Sequence, residues 1–260
     1  MRMSSKSQRR EREQRARAAR IEAERAERAT TARRRRVQVT TIAVLALALV
    51  AVLIVVSQVG GGGEDSDAPP GLFDGVEQSG TALGDPDAPY TLVESGDPQC
   101  PFCAQFDRDV VPRLVSDYVR AGDLRIEFMP LTFIGPGSEA AARMALAVGE
   151  QGNFWEFLDL LYRNQETENS GYIDDSFLTS LAERIPGVDA RRALDGRDSP
   201  RIDGRLSRAR GRAREFGISS TPSFLVGRSG ERPQPLEVDS LDPDAFAAAL
   251  DARIGGNAGG

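Results

Sequence analysis

Histidine is absent from this 260-residue chain, and its only lysine, Lys6, stands near the N-terminus. These absences exclude histidine-dependent catalytic triads, histidine-ligated metal sites and, beyond the first residues, lysine Schiff bases. Cysteine is also scarce: the chain has two, whereas a tetrahedral structural zinc site needs four nitrogen or sulfur ligands. The remaining nucleophiles are cysteine, serine, threonine, tyrosine and the carboxylates. We expect no metal centre and no cofactor.

The two cysteines stand three residues apart, in the segment Cys100-Pro101-Phe102-Cys103. This spacing alone is a weak signal, because it serves zinc sites as well as redox sites. The apolar run 90–95 before it predicts a strand, and the apolar stripe within 104–120 after it predicts a helix. Farther on, Thr221-Pro222 leads into a second predicted strand, 222–226. This layout is typical of a thiol–disulfide active site.

Charge divides the chain sharply. Residues 1–36 hold 14 Arg or Lys against 5 Glu, a net of +9, so residues 37–260 carry −15 to reach the total of −6. No charged residue lies in 37–63, and its apolar core, 37–59, has 23 residues, where a membrane-spanning helix needs about 20. Arg33–Arg36 flank this run on its N-terminal side. By the positive-inside rule, the N-terminus stays in the cytoplasm and the rest is exported.

The charge pattern predicts four parts: a basic cytoplasmic tail over 1–36, a transmembrane anchor over 37–59, a flexible linker over 60–80 and a folded domain over 81–256. The alternative for the apolar run is a signal peptide cleaved near Val59-Gly60-Gly61, although the run is long for a signal and lacks an A-x-A site. We expect the tail to be solvated and partly helical through Glu–Arg pairs. Because it has no interleaved aromatic residues, we expect Arg33–Arg36 to lie near anionic lipid headgroups and the tail not to bind nucleic acid.

The predicted export means that the two cysteines can form a disulfide, because extracytoplasmic compartments permit disulfides. A purely structural bridge is the alternative to a redox pair. It would close a very short loop, however, and so would stabilise the fold weakly.

Within the domain, apolar periodicity predicts the order strand, helix, strand, a block of helices, two strands and a last helix. This order fits an α/β fold with a helical insertion over about 134–216. Beyond the segments already given, the predicted strands are 124–130 and 235–238, and the predicted helices are 138–150, 153–164, 174–185, 189–194, 199–216 and 242–254.

Three segments resemble the DsbA-like branch of the thioredoxin superfamily. They are the active-site stretch 90–103, the segment Gly149-Glu150-Gln151-Gly152-Asn153-Phe154-Trp155-Glu156, and the loop Gly217-Ile218-Ser219-Ser220-Thr221-Pro222-Ser223-Phe224. The resemblance extends from about residue 81 to 254. It implies a thioredoxin-like fold with a helical insertion and a protein thiol–disulfide oxidoreductase activity.

The cysteines and one acid are the candidate catalytic residues. Cys100 is predicted at a helix N-terminus, where unpaired N–H groups and the helix dipole favour a thiolate, so we expect a solvent-accessible nucleophile with a lowered pKa. Cys103, one turn further, should be more buried and should resolve the mixed disulfide. Glu94 by itself could be a solvent-facing strand residue. The resemblance implies instead a buried acid with a raised pKa that relays protons to Cys103.

Four residues are candidates for substrate contact. Pro101 suits the first helical turn and stiffens the loop. Phe102 stands where strong oxidases of this family carry a histidine, and it cannot add a positive charge. The resemblance implies that Pro222 follows a cis peptide bond. It also implies that Thr221 lies beside the thiols with its backbone free to pair with an extended substrate peptide.

These observations predict a membrane-tethered, monomeric oxidoreductase that introduces disulfides into unfolded or reduced exported proteins. Family analogy implies a quinone-linked membrane partner that recharges it. Three alternatives stay open: a reductase or isomerase of the same fold, a carrier that binds Cu(I) through the two thiolates, and a redox-inert binding scaffold.

Overall fold

The computed structural model describes residues 71–255, which contain a six-stranded sheet. The strands are β1 (Gln78–Ser79), β2 (Ala82–Leu83), β3 (Tyr90–Gly96), β4 (Leu124–Pro130), β5 (Ser223–Arg228) and β6 (Gln234–Pro235). Their order across the sheet is β1-β2-β4-β3-β5-β6. The central strands β3 and β4 are parallel, and the other neighbouring pairs are antiparallel.

Helices follow β3 and β4, and a last helix follows the hairpin of β5 and β6. They are α1 (Pro101–Asp109), α2 (Val111–Leu114), a π-helical turn (Val115–Val119), α3 (Pro136–Gly149), α4 (Phe154–Arg163), α5 (Asp175–Glu183), α6 (Ala190–Gly196), α7 (Pro200–Glu215) and α8 (Pro243–Gly255). The helices α3 to α7 lie between β4 and β5, so the predicted insertion is present where it was expected.

The strand pleat sends alternate side chains to opposite faces of the sheet, and each face has its own core. Leu92 and Ile126 belong to the larger core, together with Phe106 of α1. Val93 points the other way and belongs to a smaller core, to which α7 contributes Ala209. The active-site helix therefore packs on one face of the sheet, whereas the second half of α7, with Ala209 and Ala213, packs on the other; Ile202 and Leu206 in the first half of α7 belong to the larger core.

The helix predicted over 104–120 is broken in the structure. Pro112 has no N–H to donate to the carbonyl of Arg108, and its ring crowds that carbonyl, so α1 ends at Asp109. The last turn widens to a π-helix, in which the Arg120 N–H donates to the Val115 carbonyl at 3.0 Å.

The folded domain begins before residue 81, which corrects the predicted linker boundary. Phe73 is only 5 % exposed and belongs to the larger core. Arg120 donates hydrogen bonds to the carbonyls of Gly71, Leu72 and Asp74. Burying one aromatic ring stabilises a short segment by about 1.5–3 kcal/mol, which offsets the polar character of the residues around it. The hairpin of β1 and β2, which no periodicity predicted, follows directly.

The predicted basic tail, transmembrane anchor and first half of the linker fall within residues 1–70, outside the described residues. Among residues 71–255, no helix is long and apolar enough to cross a membrane.

Candidate active site

Cys100 lies where the loop after β3 enters α1. It is the N-cap of α1, with extended backbone angles (φ −74°, ψ 119°), and its sulfur accepts the backbone N–H of Cys103 at 3.3 Å. Pro101 occupies the start of the helix, where an N–H would have no helical partner. The thiol therefore sits at the positive end of a helix, as predicted.

The loop before β5 lies against this thiol. Antiparallel pairing places Ser95 of β3 opposite Ser223 of β5, so the end of one strand meets the start of the other. The peptide bond between Thr221 and Pro222 is cis, as predicted. While Cys100 carries its proton, its thiol donates to the Thr221 carbonyl oxygen at 3.4 Å, so in that form the carbonyl is engaged and is not free as expected.

Both cysteines are free thiols, and both are buried. Cys103 is 0 % exposed, in agreement with its expected depth. Cys100 is only 4 % exposed, so the prediction of a solvent-accessible thiol is wrong. The loop at Thr221 covers the sulfur, a long-range contact that cysteine spacing cannot reveal.

The two thiols have opposite pKa shifts. The pKa of Cys100 falls to about 6, chiefly because the Cys103 side chain forms a hydrogen bond with the Cys100 sulfur. Hydrogen bonds from Thr221 and from backbone N–H groups lower this pKa further, whereas burial alone would raise it. Burial raises the pKa of Cys103 far above its ordinary value, and the hydrogen bond to Cys100 and the charge of Glu94 raise it further. At neutral pH, one thiolate is therefore stable, and it resides on Cys100.

Glu94 is buried below the cysteines and does not face solvent. It is 1 % exposed, and neither carboxyl oxygen has a hydrogen-bond partner among residues 71–255. Burial raises the pKa of the Glu94 carboxyl well above its usual range, and the charge of Cys100 raises it further. A Cβ atom at Gly96 would come within 3.1 Å of a Glu94 oxygen and 2.5 Å of the Phe128 ring, so the glycine leaves room for the acid. The site thus holds a buried carboxyl whose protonated form is favoured.

A second buried acid, Asp107, was missed by the sequence analysis. It is 1 % exposed, and burial followed by the charge of Asp159 raises its pKa well above the usual value. Asp159 is fully buried and accepts Nε–H of Arg163 at 2.8 and 2.9 Å. One carboxyl is therefore paired with the guanidinium while the other favours its proton. Asp107 is four residues after Cys103 and so lies on the same face of the helix. This spacing is the feature of the sequence from which its burial could have been predicted.

Asp97, also missed, fixes the loop before Cys100. Its carbonyl accepts the Cys100 N–H at 2.9 Å. Its buried carboxylate accepts hydrogen bonds of 2.6–3.0 Å from the hydroxyl of Ser138 and the N–H groups of Gln99, Phe133 and Ile134. Because Ser138 belongs to α3, one carboxylate joins the active-site loop to the start of the insertion. In sequence, Asp97-Pro98 indicates only a turn.

A groove of about 580 Å³ opens beside the thiols. Phe102, 61 % exposed, and Pro222 line it, together with Ile218 and Leu241. Of the four predicted substrate-contact residues, the structure brings Phe102 and Pro222 to the groove. Thr221 is next to Cys100, and Pro101 follows it on the helix; neither lines the groove.

Comparison with known proteins identifies the family. A family model described as thioredoxin matches residues 77–252. The chain belongs to the thioredoxin family. A Bacillus cereus protein named probable disulfide bond formation protein D is 31 % identical over 176 residues, which are 66 % of this chain and 78 % of the relative. Disulfide bond formation protein D of Bacillus subtilis is 27 % identical over 146 residues, 55 % of this chain and 66 % of the relative.

Solved structures agree on the fold. Oxidised BdbD from Bacillus subtilis gives a TM-score of 0.59 at 23 % identity, covering 69 % of this chain and 98 % of its own. DsbA from Chlamydia trachomatis gives a TM-score of 0.55 at 22 % identity, and the match covers 68 % of this chain and 90 % of DsbA. The predicted thioredoxin-like fold with a helical insertion is confirmed. This thioredoxin-family protein is a thiol–disulfide oxidoreductase, and its fold is similar to that of DsbA.

The first prediction concerns the Cys100 thiolate. In a Cys103→Ser variant, which keeps a side-chain donor beside the Cys100 sulfur, we expect the Cys100 pKa to remain near 6. Cys103→Ala removes that donor, so the pKa should rise toward the ordinary value of about 8.5. Ultraviolet thiolate absorbance against pH measures both. Equal midpoints would contradict the role given to the Cys103 side chain, and midpoints at the ordinary value in both would contradict the stabilised thiolate.

The second prediction concerns Asp107 and the pH dependence of stability. The pKa of Asp107 is higher in the folded than in the unfolded protein, so this carboxyl stabilises the fold at low pH. The stabilisation is lost as the pH rises from about 4, where Asp107 ionises in the unfolded chain, through the folded pKa. For each unit of difference between the folded and the unfolded pKa, the free energy of unfolding changes by about 1.4 kcal/mol. Urea unfolding of the reduced protein from acid to neutral pH should therefore show a smaller loss of stability in Asp107→Asn than in the parent.

Asp109→Asn is the matched control for this experiment, since Asp109 is on the same helix but exposed. It should keep the parent's pH profile. If Asp107→Asn and the parent lose stability equally, Asp107 does not carry the expected buried proton.

Proposed function

We propose that this protein introduces disulfides into exported proteins through Cys100 and Cys103. The low pKa of Cys100 is the observation that favours oxidation of substrates over their reduction. A stabilised thiolate favours the reduced enzyme and so makes its disulfide a strong oxidant. The similar Bacillus proteins are named for disulfide bond formation, which supports the same direction.

The reaction starts with Cys100 and Cys103 joined. A substrate thiolate attacks the Cys100 sulfur, the bond between the two cysteines breaks, and Cys103 takes its electron pair. Burial disfavours a thiolate at Cys103, so this leaving group needs a proton. Glu94 is the proposed donor, since its protonated form is favoured and its charge acts on Cys103.

The second half of the reaction releases the product. A second substrate thiolate attacks the substrate sulfur of the mixed disulfide, and Cys100 leaves as a thiolate held by the Cys103 N–H. A leaving thiol of low pKa departs faster. The substrate has then lost two electrons to the enzyme. The two substrate thiols have also lost two protons. One of them restores the proton that Glu94 gave to Cys103, and the other enters solvent.

The groove beside Pro222 is the proposed place for the substrate chain. An extended peptide can pair with the backbone at Thr221 once the Cys100 thiol has been oxidised and no longer donates to that carbonyl. Phe102 supplies an exposed apolar surface at the groove edge, and Pro101 holds the loop at the helix start. These contacts favour unfolded or reduced chains over folded ones.

The N-terminal sequence supports a membrane tether. The basic tail at 1–36 and the uncharged run at 37–59 favour a single-pass anchor with the catalytic domain outside the cell membrane. Because each turnover leaves the cysteines reduced, we propose a quinone-linked membrane partner that reoxidises them. The protein acts as a monomer in this scheme.

A reductase of the same fold is the second candidate, and Phe102 favours it. An apolar side chain between the cysteines adds no positive charge to stabilise the Cys100 thiolate, so the helix and its hydrogen bonds must do so alone. The reduction potential distinguishes the two directions.

The third prediction is that potential. Equilibration of the full-length protein with glutathione buffers should give a value between about −180 and −120 mV, the range of disulfide-donating thioredoxin-fold proteins. A value near −270 mV, typical of thioredoxin, would favour the reductase. Cys100→Ser and Cys103→Ser variants, which cannot form the pair, provide the baseline.

The fourth prediction tests Glu94. Glu94→Gln keeps the shape of the side chain but cannot exchange a proton, so breaking the Cys100–Cys103 bond by a dithiol peptide should slow tenfold or more at neutral pH. Glu94→Asp keeps a carboxyl and should recover part of the rate. If Gln and Asp variants slow equally, Glu94 acts through packing alone. An unchanged rate in both would remove it from the reaction.

A further inference from the structure

The face of the sheet opposite the thiols carries a concentration of arginine. Helix α7 contains six arginines in 16 residues, although residues 37–260 as a whole have a net charge of −15. Three of them, Arg205, Arg208 and Arg212, recur at intervals of three and four, which places them along one side of the helix. Arg125 of β4 reaches the same space.

These four side chains line one cavity of about 390 Å³ between α7, β4 and the turn joining β1 to β2. Arg205 lies on the turn, because a Cβ atom at Gly80 would come within 3.2 Å of its guanidinium. The close approach depends on small residues: Ala209 faces the sheet where a longer side chain would hold the helix away. The result is a concave surface and not a row of separate surface charges.

The charges in the cavity are not balanced by the described part of the protein. Glu127 is the one carboxylate lining the cavity in residues 71–255, and it pairs with Arg212 at 3.1 Å. Arg125, Arg205 and Arg208 have no carboxylate within ion-pair distance in the same residues. Like charges three residues apart on a helix repel each other, so this arrangement lowers stability unless an anion joins it.

We propose that this cavity binds the phosphate group of an anionic ligand. The surplus of three positive charges suits a group that carries more than one negative charge or several acceptor oxygens. Guanidinium groups present planar pairs of N–H donors that match phosphate oxygens. Two sources share this chemistry, a free phosphate ester and the headgroup of a phospholipid.

Calorimetric titration of the full-length protein in non-ionic detergent with glycerol phosphate, at fixed ionic strength, tests the site. We expect binding that the double variant Arg205→Ala/Arg208→Ala weakens at least tenfold. The matched control is Arg210→Ala/Arg214→Ala, which removes two arginines from the same helix outside the cavity and should change affinity less than twofold. Unchanged thiol oxidation in all variants verifies the fold, since none of these residues contacts the cysteines.

A second arm identifies the source of the phosphate. The protein is exchanged into micelles containing phosphatidylglycerol or phosphatidylcholine, and retained phospholipid is measured after gel filtration. Retention of phosphatidylglycerol that depends on Arg205 and Arg208 assigns a lipid headgroup, whereas glycerol phosphate binding without such retention assigns a soluble ester. Absence of binding in both arms, or equal loss in both double variants, overturns the proposal.

Discussion

The pairing of Ser95 with Ser223 is the constraint on which the site depends. Antiparallel strands bring the end of β3 to the start of β5, so residues more than 120 positions apart, Cys100 and Thr221, meet within a hydrogen bond. The same register leaves the helix N-terminus above the end of the sheet, where the dipole of α1 meets the sulfur. Without that register, the C-x-x-C would be an ordinary exposed helix start.

Burial then separates the two thiols. Cys100 keeps donors that stabilise its thiolate, whereas Cys103 is one turn deeper and has Glu94 beneath it. A dielectric lower than that of water makes both effects larger than they would be at the surface. Two identical side chains thereby acquire different leaving-group chemistry, Cys100 from its hydrogen bonds and Cys103 from its burial. Burial acts in the same direction on Asp107 of α1, whose pKa the charge of Asp159 on α4 raises further.

Local patterns predicted the parts of the fold that local physics determines. The long strands, the insertion helices and the cysteine helix each follow from apolar periodicity, and the family resemblance supplied Glu94 and the cis proline. Most of what was missed depends on contacts between distant segments; the break of the cysteine helix at Pro112 is the exception, because a proline inside a helix is a local signal. Phe73 lies in a short segment between Pro69-Pro70-Gly71 and Asp74-Gly75, which indicates turns, and only its neighbours in the core show that it is buried. Asp97 likewise resembles a turn residue, and only the structure shows that three distant donors, on Phe133, Ile134 and Ser138, converge on its carboxylate.

The two faces of the sheet have separate chemistry because β-strand side chains alternate. Leu92 and Val93 are adjacent in sequence, yet the first packs in the core that contains both cysteines and the second in the core below α7. Only small residues of α7 approach the sheet there, so its arginines extend past the contact toward Arg125 and the β1–β2 turn. A ligand held on that face contacts β4 but does not cover the thiols. It can therefore hold or orient the domain and leave the groove beside Pro222 open to an incoming chain, which a ligand on the thiol face could not do.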